Sequence, residues 1–232
     1  MILLTGGSGR LGTALRGLIE CDAPSHAEFD VTDPKWVSAP DLIVHCAAYT
    51  NLMAAQTDEH SRRDCYRLNV LGTEQMTKFP LVYISTEYVF DGKDGNYPES
   101  ASTSPLNHYA ATKAIGESVA RLAPRSLVIR CLFKERPYRH AEAPVNQWTS
   151  GDYVDVIAPM VAQCIKWFEA GHFKQHDTIH VGTGRKATID LARQTRNVTA
   201  IALSDINMPL PADTSLDCSR YYGMAKELAH GY

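Results

Sequence analysis

No sign of charge dominates this 232-residue chain: 23 lysines and arginines stand against 26 aspartates and glutamates, for a net charge of −3. A chain so balanced lacks the basic stripe by which nucleic acid or an anionic membrane surface is bound. Cysteine is present but unorganised. Cys21, Cys46, Cys65, Cys131, Cys164 and Cys218 form no C-x-x-C pair, which argues against a zinc site or disulfide framework and for a reducing compartment. No apolar run approaches the ~20 residues that cross a bilayer. Met1 leads straight into an apolar stretch, without the layout of a signal peptide. Internal repeats and low-complexity tracts are also missing. These absences describe a soluble, cytoplasmic protein, with no metal, no nucleic acid and no membrane among its expected partners. Its length suffices for one core, or a core with a small attached lobe.

What is there is an alternation. Apolar or β-branched runs recur at 2–5, 42–47, 81–85, 127–131 and 178–181, and stretches such as 70–79 and 109–122 between them are helical in pattern or capped for a helix. Repeated βα units with buried strands predict a doubly wound, parallel α/β sheet with right-handed crossovers, a Rossmann fold. Residues 92–107, rich in Pro, Gly, Asn and Ser, read as a loop facing a substrate. The irregular, polar stretch 134–152 reads as a departure from the sheet.

Ligands of such sheets bind at the carboxyl ends of the strands, and the informative residues stand there. After the first strand comes Gly6-Gly7-Ser8-Gly9-Arg10-Leu11-Gly12, followed by Ala14, Leu15, Leu18 and Ile19 at helical spacing. Strand, glycine turn and helix form the context of a dinucleotide fingerprint, in which backbone N–H groups meet a pyrophosphate. The glycines fit both G-x-x-G-x-x-G and G-x-G-x-x-G and do not choose between them. Small residues, Ala47-Ala48-Tyr49, follow the second strand, and Ser85-Thr86 ends the third. Tyr109 and Lys113 are four residues apart, on one helix face and roughly 6 Å apart along the axis. An ammonium so placed favours the phenolate and draws the phenol down from about 10 toward neutrality. With the Thr86 hydroxyl on the same oxygen, Tyr109 is suited to exchange a proton with a carbonyl.

Taken together, these motifs resemble the extended short-chain dehydrogenase/reductase family, and within it the dTDP-4-dehydrorhamnose reductase branch, in a shortened form. The likeness runs through Thr5–Gly12, Asp30-Val-Thr-Asp33, Ala47-Ala-Tyr-Thr50, Asn69-Val-Leu-Gly-Thr73, Ser85-Thr-Glu-Tyr-Val-Phe-Asp-Gly92, Tyr109-Ala-Ala-Thr-Lys-Ala-Ile-Gly-Glu117 and Val128-Ile-Arg130. Beyond residue 130 it thins to Asn146–Ser150 and Thr214–Ser219. The resemblance implies NAD(P)H-dependent reduction of the 4-keto group of a nucleotide-activated deoxysugar. It implies Tyr109 as proton donor, Lys113 tuning it and holding the nicotinamide ribose, and Thr86 on the keto oxygen. Gly6, Gly9 and Gly12 would frame the pyrophosphate with Ser8, Arg10 and Leu11. Asp30 and Val31, at the end of a strand, would lie near the adenine, while Ala47, Ala48, Tyr49 and Ser85 would line the dinucleotide path. Asn69 is either a support for the site or a helix-start residue. The implied organisation is a cofactor-binding core over 1–133 and a reduced substrate lobe over 134–232, with 153–182 returning to the core. A homodimer is plausible on the same ground.

Departures from the pattern matter as much. The usual acidic ligand of the adenine ribose falls near Ser25 or His26, neither of which is a carboxylate, although Asp22 or Glu28 could serve if the strand is offset. Arg10 could pair with a 2′-phosphate, so NADP(H) is favoured over NAD(H). Residues 51–56 lack the acidic character of the family, and the connection over 134–144 is shortened. The second-strand region and the helix between 69 and 81 look trimmed. Arg136, Arg139, His140 and Arg185 could clamp a diphosphate, with solvated surface as the plainer role. Glu87-Tyr88 follows Thr86 where dehydratases carry Asp-Glu, which argues against dehydration. Cys46 and Cys131 at strand ends fit small apolar packing better than an acid–base couple. An epimerase, and a non-catalytic NADP-binding regulatory subunit, remain as alternatives. Retention of Thr86, Tyr109 and Lys113 together favours an enzyme.

Overall fold

Every residue of Ile2–Thr5 (β1), Leu42–His45 (β2), Leu81–Thr86 (β3) and Ser126–Cys131 (β4) is buried, the mark of strands covered on both faces. The computed structural model describes residues 1–229 and arranges these strands in one parallel sheet. Short strands follow at Phe133–Lys134 (β5), Glu142–Pro144 (β6), Trp148–Thr149 (β7) and Asp152–Tyr153 (β8), before His176–His180 (β9) rejoins the sheet beside β4. The order is β1-β2-β3-β4-β9, with Ile2 opposite Leu42, Ile43 opposite Leu81, and Leu81 opposite Ser126. This is the doubly wound α/β sheet that the alternation predicts.

Helices cover it. Arg10–Leu15 (α1) follows the glycine turn; Leu52–Thr57 (α2) and Glu59–Tyr66 (α3) follow β2. A π-helical turn over Arg67–Leu71 joins α3 to Gly72–Met76 (α4), so the helix expected over 70–79 begins earlier and bulges in its middle. His108–Ala120 (α5) is capped by Asn107, whose side chain accepts from Ala110 N at 2.9 Å. Val154–Glu169 (α6) packs on the sheet with α1, and its Ile157, Val161, Ile165 and Phe168 enter the main core with Leu4, Val44, Val82 and Ile129. The lobe pairs β5 with β8, β7 with Lys186–Ala187 (β10), and β6 with Thr199–Ile201 (β11), around Thr188–Arg193 (α7). Tyr138, Tyr153, Ile189 and Leu191 form the small core of the lobe. Ser219–Ala229 (α8) returns to the main core through Tyr221.

The stretch after α1 joins the sheet through one bridge, Leu3 with Asp22. Asp30 and Val31 therefore do not end a strand, as the sequence suggests, but lie in a turn. The Asp30 carboxylate accepts from Thr32 N and Oγ1 at 2.8 and 2.9 Å, a local closure that competes with strand pairing. Val31 is buried against α4, where a Cβ on Gly72 would lie 3.0 Å from its Cγ2.

A buried ion pair fastens α5 to the sheet. Arg130 of β4 and Glu117 of α5 are 5% and 3% exposed, with Nε–Oε1 and Nη2–Oε2 contacts of 2.9 and 2.8 Å. Ser85 of β3 donates to Glu117 Oε1 at 2.6 Å. Removing one partner leaves an uncompensated buried charge, whereas apolar replacement of both does not. Glu117→Leu is therefore expected to lower the unfolding free energy in urea by about 3–5 kcal/mol. Adding Arg130→Met should recover much of that loss.

Candidate active site

The glycine turn is shaped by close approach. Gly6 has φ +69°, and a Cβ on it would stand 2.6 Å from Ala47 N; a Cβ on Gly12 would stand 2.2 Å from Gly6 O. A side chain at either position would separate the turn from β2 or from α1. Gly9 caps α1 without a side chain, so the first amides of that helix are not taken by a capping group. Beside the turn lies a hollow lined by Thr5, Gly6, Ser8, Pro24, His26, Phe29, Val31, Ala47 and Leu68. No carboxylate lines it. Glu28 accepts from Ser25 N and Oγ, both at 2.8 Å, and Asp30 is committed to Thr32. Arg10 does not reach the hollow either: its Nε pairs with Glu135 beyond β5. Glu135, from the lobe, thus engages the guanidinium that the sequence reading assigns to a 2′-phosphate.

Thr86, Tyr109 and Lys113 meet at the carboxyl end of β3. Thr86 and Lys113 are buried and Tyr109 half-buried. Burial pushes the Tyr109 phenol up from its ordinary value, opposed by a hydrogen bond from Thr86. The same burial pulls the Lys113 ammonium down to about 8, opposed first by the charge of Glu117. Burial, and not the Lys113 charge that i, i+4 spacing invokes, thus sets the direction for the phenol. The Ser85 hydroxyl is committed to Glu117.

Several supports were not legible from spacing. His45 Nδ1 and Thr5 Oγ1 are 2.6 Å apart, and burial holds this histidine neutral, down to about 3. Asn69, in the π turn, accepts from Tyr49 N at 2.8 Å and donates to Tyr49 O at 3.2 Å and Thr112 Oγ1 at 3.0 Å, so it fixes the Ala47–Tyr49 segment against α5. That is the supporting role among the two considered for it. Arg136 and Arg185 do not converge on one anion: Arg136 pairs with Asp155, and Arg185 pairs with Asp213 over the Trp148 ring. Burial pushes the thiols of Cys46, to about 12, and Cys131 upward, as befits packing rather than acid–base work.

Glu87 directly follows Thr86 and is fully buried. Its Oε1 accepts from Thr149 at 2.6 Å and Thr214 at 2.7 Å, and its Oε2 from Ser150 N at 3.3 Å. One carboxyl thus holds two separate segments of the lobe against the end of β3.

Comparison with known proteins places this geometry in context. The family described as RmlD substrate binding domain matches residues 1–158. The chain is 30% identical over 172 residues to dTDP-4-dehydrorhamnose reductase of Aggregatibacter actinomycetemcomitans, covering 66% of this chain and 52% of that protein. It is 33% identical over 180 residues to a probable dTDP-4,6-dihydroxy-2-methyloxan-3-one 4-ketoreductase of Streptomyces antibioticus, covering 69% and 61%. The chain thus spans about half the length of the first of these relatives. A crystal structure of dTDP-4-dehydrorhamnose reductase from Bacillus anthracis in complex with NADP superposes with a TM-score of 0.78 at 22% identity, over 95% of this chain and 90% of that one.

Burial raises the Glu87 carboxyl from 4.5 to about 7, the opposing hydrogen bonds of Thr149 and Thr214 notwithstanding. The folded state thus binds a proton that the unfolded state releases, and stability falls as pH rises from 4.5 to about 7. The contribution is full below the lower value, lost above the upper, and on the order of 3 kcal/mol. Glu87→Gln should flatten that part of the pH dependence of urea unfolding, measured at pH values on both sides of the window.

Proposed function

Because this chain belongs to the RmlD substrate-binding-domain family, we propose that it is an NADPH-dependent oxidoreductase reducing the 4-keto group of a nucleotide-activated deoxysugar. The observation that carries this reading is the convergence of Thr86, Tyr109 and Lys113 beside a turn built to admit a pyrophosphate. The nucleotide-sugar substrate follows the two reductases reported above. A soluble, cytoplasmic enzyme acting as a homodimer is part of the same proposal; among the described residues no helix is long and apolar enough to cross a membrane.

The dinucleotide fits the residues present. The turn closes on Ala47 so tightly that only glycine is accommodated at position 6, and the amides behind Gly9 carry no competing cap. Adenine would enter the hollow between Phe29, Val31 and Leu68, with Ser8 and the Arg10 and Leu11 amides toward the pyrophosphate. A hollow without a free carboxylate does not reward the 2′-hydroxyl of NADH, and His26 at its rim is the side chain positioned to meet a 2′-phosphate. When bound, the nicotinamide supplies the hydride. The protein supplies the rest. Tyr109 gives its proton to the alkoxide oxygen, Thr86 hydrogen-bonds that oxygen, and the Lys113 charge stabilises the phenolate left behind. The high proton affinity of the buried phenol suits a group that must hold its proton until negative charge develops beside it.

Two measurements test this. Tyr109→Phe should lower kcat for NADPH oxidation with a 4-keto-6-deoxy nucleotide sugar by on the order of 10²–10⁴, the usual size of general-acid catalysis, with NADPH binding retained. Equal inertness of wild type and variant across a substrate panel would favour a non-catalytic NADP-binding subunit. In the second, 2′,5′-ADP should bind more tightly than 5′-ADP, and His26→Ala should narrow the gap. Equal binding of the two by the wild type would remove the preference for NADPH.

A further inference from the structure

Lys113 is held in an unusual way. It is 3% exposed, and its Nζ lies 4.0 Å from the centroid of the Tyr83 ring. Among the described residues that ammonium meets a ring face, and no hydrogen-bonding oxygen. Tyr83 itself is fully buried in the middle of β3 and cannot shift. Its hydroxyl contacts Lys113 O at 3.4 Å, so one side chain touches both the backbone and the charge of the same lysine. Gly116, one helical turn on, leaves the space: a Cβ there would stand 2.2 Å from Tyr83 Oη. Helix, glycine and ring therefore form one seat.

We propose that Tyr83 is a positioning residue of the reduction, whose ring face keeps the Lys113 ammonium in place and charged inside the site. This rests on the reading of Lys113 as part of that site. A cation over an aromatic face within about 6 Å is attracted by the ring quadrupole, most strongly when desolvated. Attraction to the charged form opposes the burial that draws Lys113 toward neutrality. Of the other groups facing Lys113, Glu117 gives the largest such opposition to burial. His45 and Cys46 from β2, Cys65 from α3 and Cys131 from β4 are uncharged at neutral pH, and Tyr109 on the same helix keeps its proton. Glu117 alone bears charge, and it is already committed to Arg130 and Ser85. The ring is thus the partner that Lys113 does not share.

The test separates the π face from mere bulk. Tyr83→Phe keeps the face, and Tyr83→Met removes it while keeping a long apolar side chain in the seat. Both are followed by kcat/KM and by NADPH affinity, the latter from fluorescence, across the alkaline range. Tyr83→Phe should leave the alkaline limb of both profiles within experimental error of wild type. Tyr83→Met should move both limbs to lower pH by about one unit, the size expected for a desolvated cation–π contact. Should the methionine variant fail to fold, pentafluorophenylalanine at position 83 keeps the shape and reverses the quadrupole, and should give the same shift. Coincident profiles for the aromatic and non-aromatic variants would overturn the proposal. Full activity of Lys113→Ala or Tyr109→Phe would instead overturn the reading of the site, leaving the two failures distinguishable.

Discussion

The approach of α5 to β3 is the constraint on which the site depends. Tyr109, Lys113 and Glu117 recur at every fourth position and so share one helical face. That face is useful only if the helix lies close enough to β3 for all three to act on its carboxyl end. Gly116 permits the approach, the Glu117–Arg130–Ser85 cluster fastens it, and Asn107 fixes where the helix begins. A buried ion pair is a poor source of net stability, because desolvation of both charges consumes most of the attraction. Its value here is geometric. It joins α5, β3 and β4 at one point, and a shift of the helix would separate oppositely charged groups in a medium that does not forgive it.

Around this fixed centre both flanks are lightly built. On one side the stretch after α1 joins the sheet through a single bridge at Asp22, so the adenosine hollow is walled by a turn rather than by a sheet edge. On the other, the lobe is a set of two- and three-residue strands, held to the core by Glu87. A carboxyl is a costly fastener in a dry interior unless it is protonated or well bonded. Glu87 takes three donors and still binds its proton near neutrality, which makes the seam between core and lobe more sensitive to pH than the sheet itself.

The parts of the fold legible in the sequence are those where local pattern and burial agree. The five sheet strands were readable as apolar runs because parallel strands are buried on both faces, and α5 because its helical pattern marks it. The π turn at Arg67–Leu71 was not readable, since Asn69 reveals its purpose only through Tyr49 and Thr112, residues distant in sequence. Asp30 misled for a related reason: an Asx turn and a strand end use the same residue types. The pairing of Arg10 was not readable because its partner, Glu135, lies 125 residues away. Tyr83 carried no signal at all. In an alternation of buried residues, a tyrosine within a strand reads as packing, and only the ammonium 4.0 Å above its ring distinguishes it.

Burial acts on the two members of the Tyr109–Lys113 pair in opposite senses, and the balance suits carbonyl reduction. A phenol with raised proton affinity is a weak acid toward water but an adequate one toward an alkoxide, whose own affinity is higher still. A lysine lowered to about 8 remains charged at neutral pH, yet sits near the point where modest changes of surroundings decide its state. The ring of Tyr83 and the charge of Glu117 pull it toward the ammonium, and desolvation pulls it away. When an alkoxide forms beside the phenol, the negative charge that then passes to Tyr109 adds to the first side of that balance. The ammonium is thus most strongly favoured at the moment when its charge is needed, which is the differential stabilisation that catalysis requires.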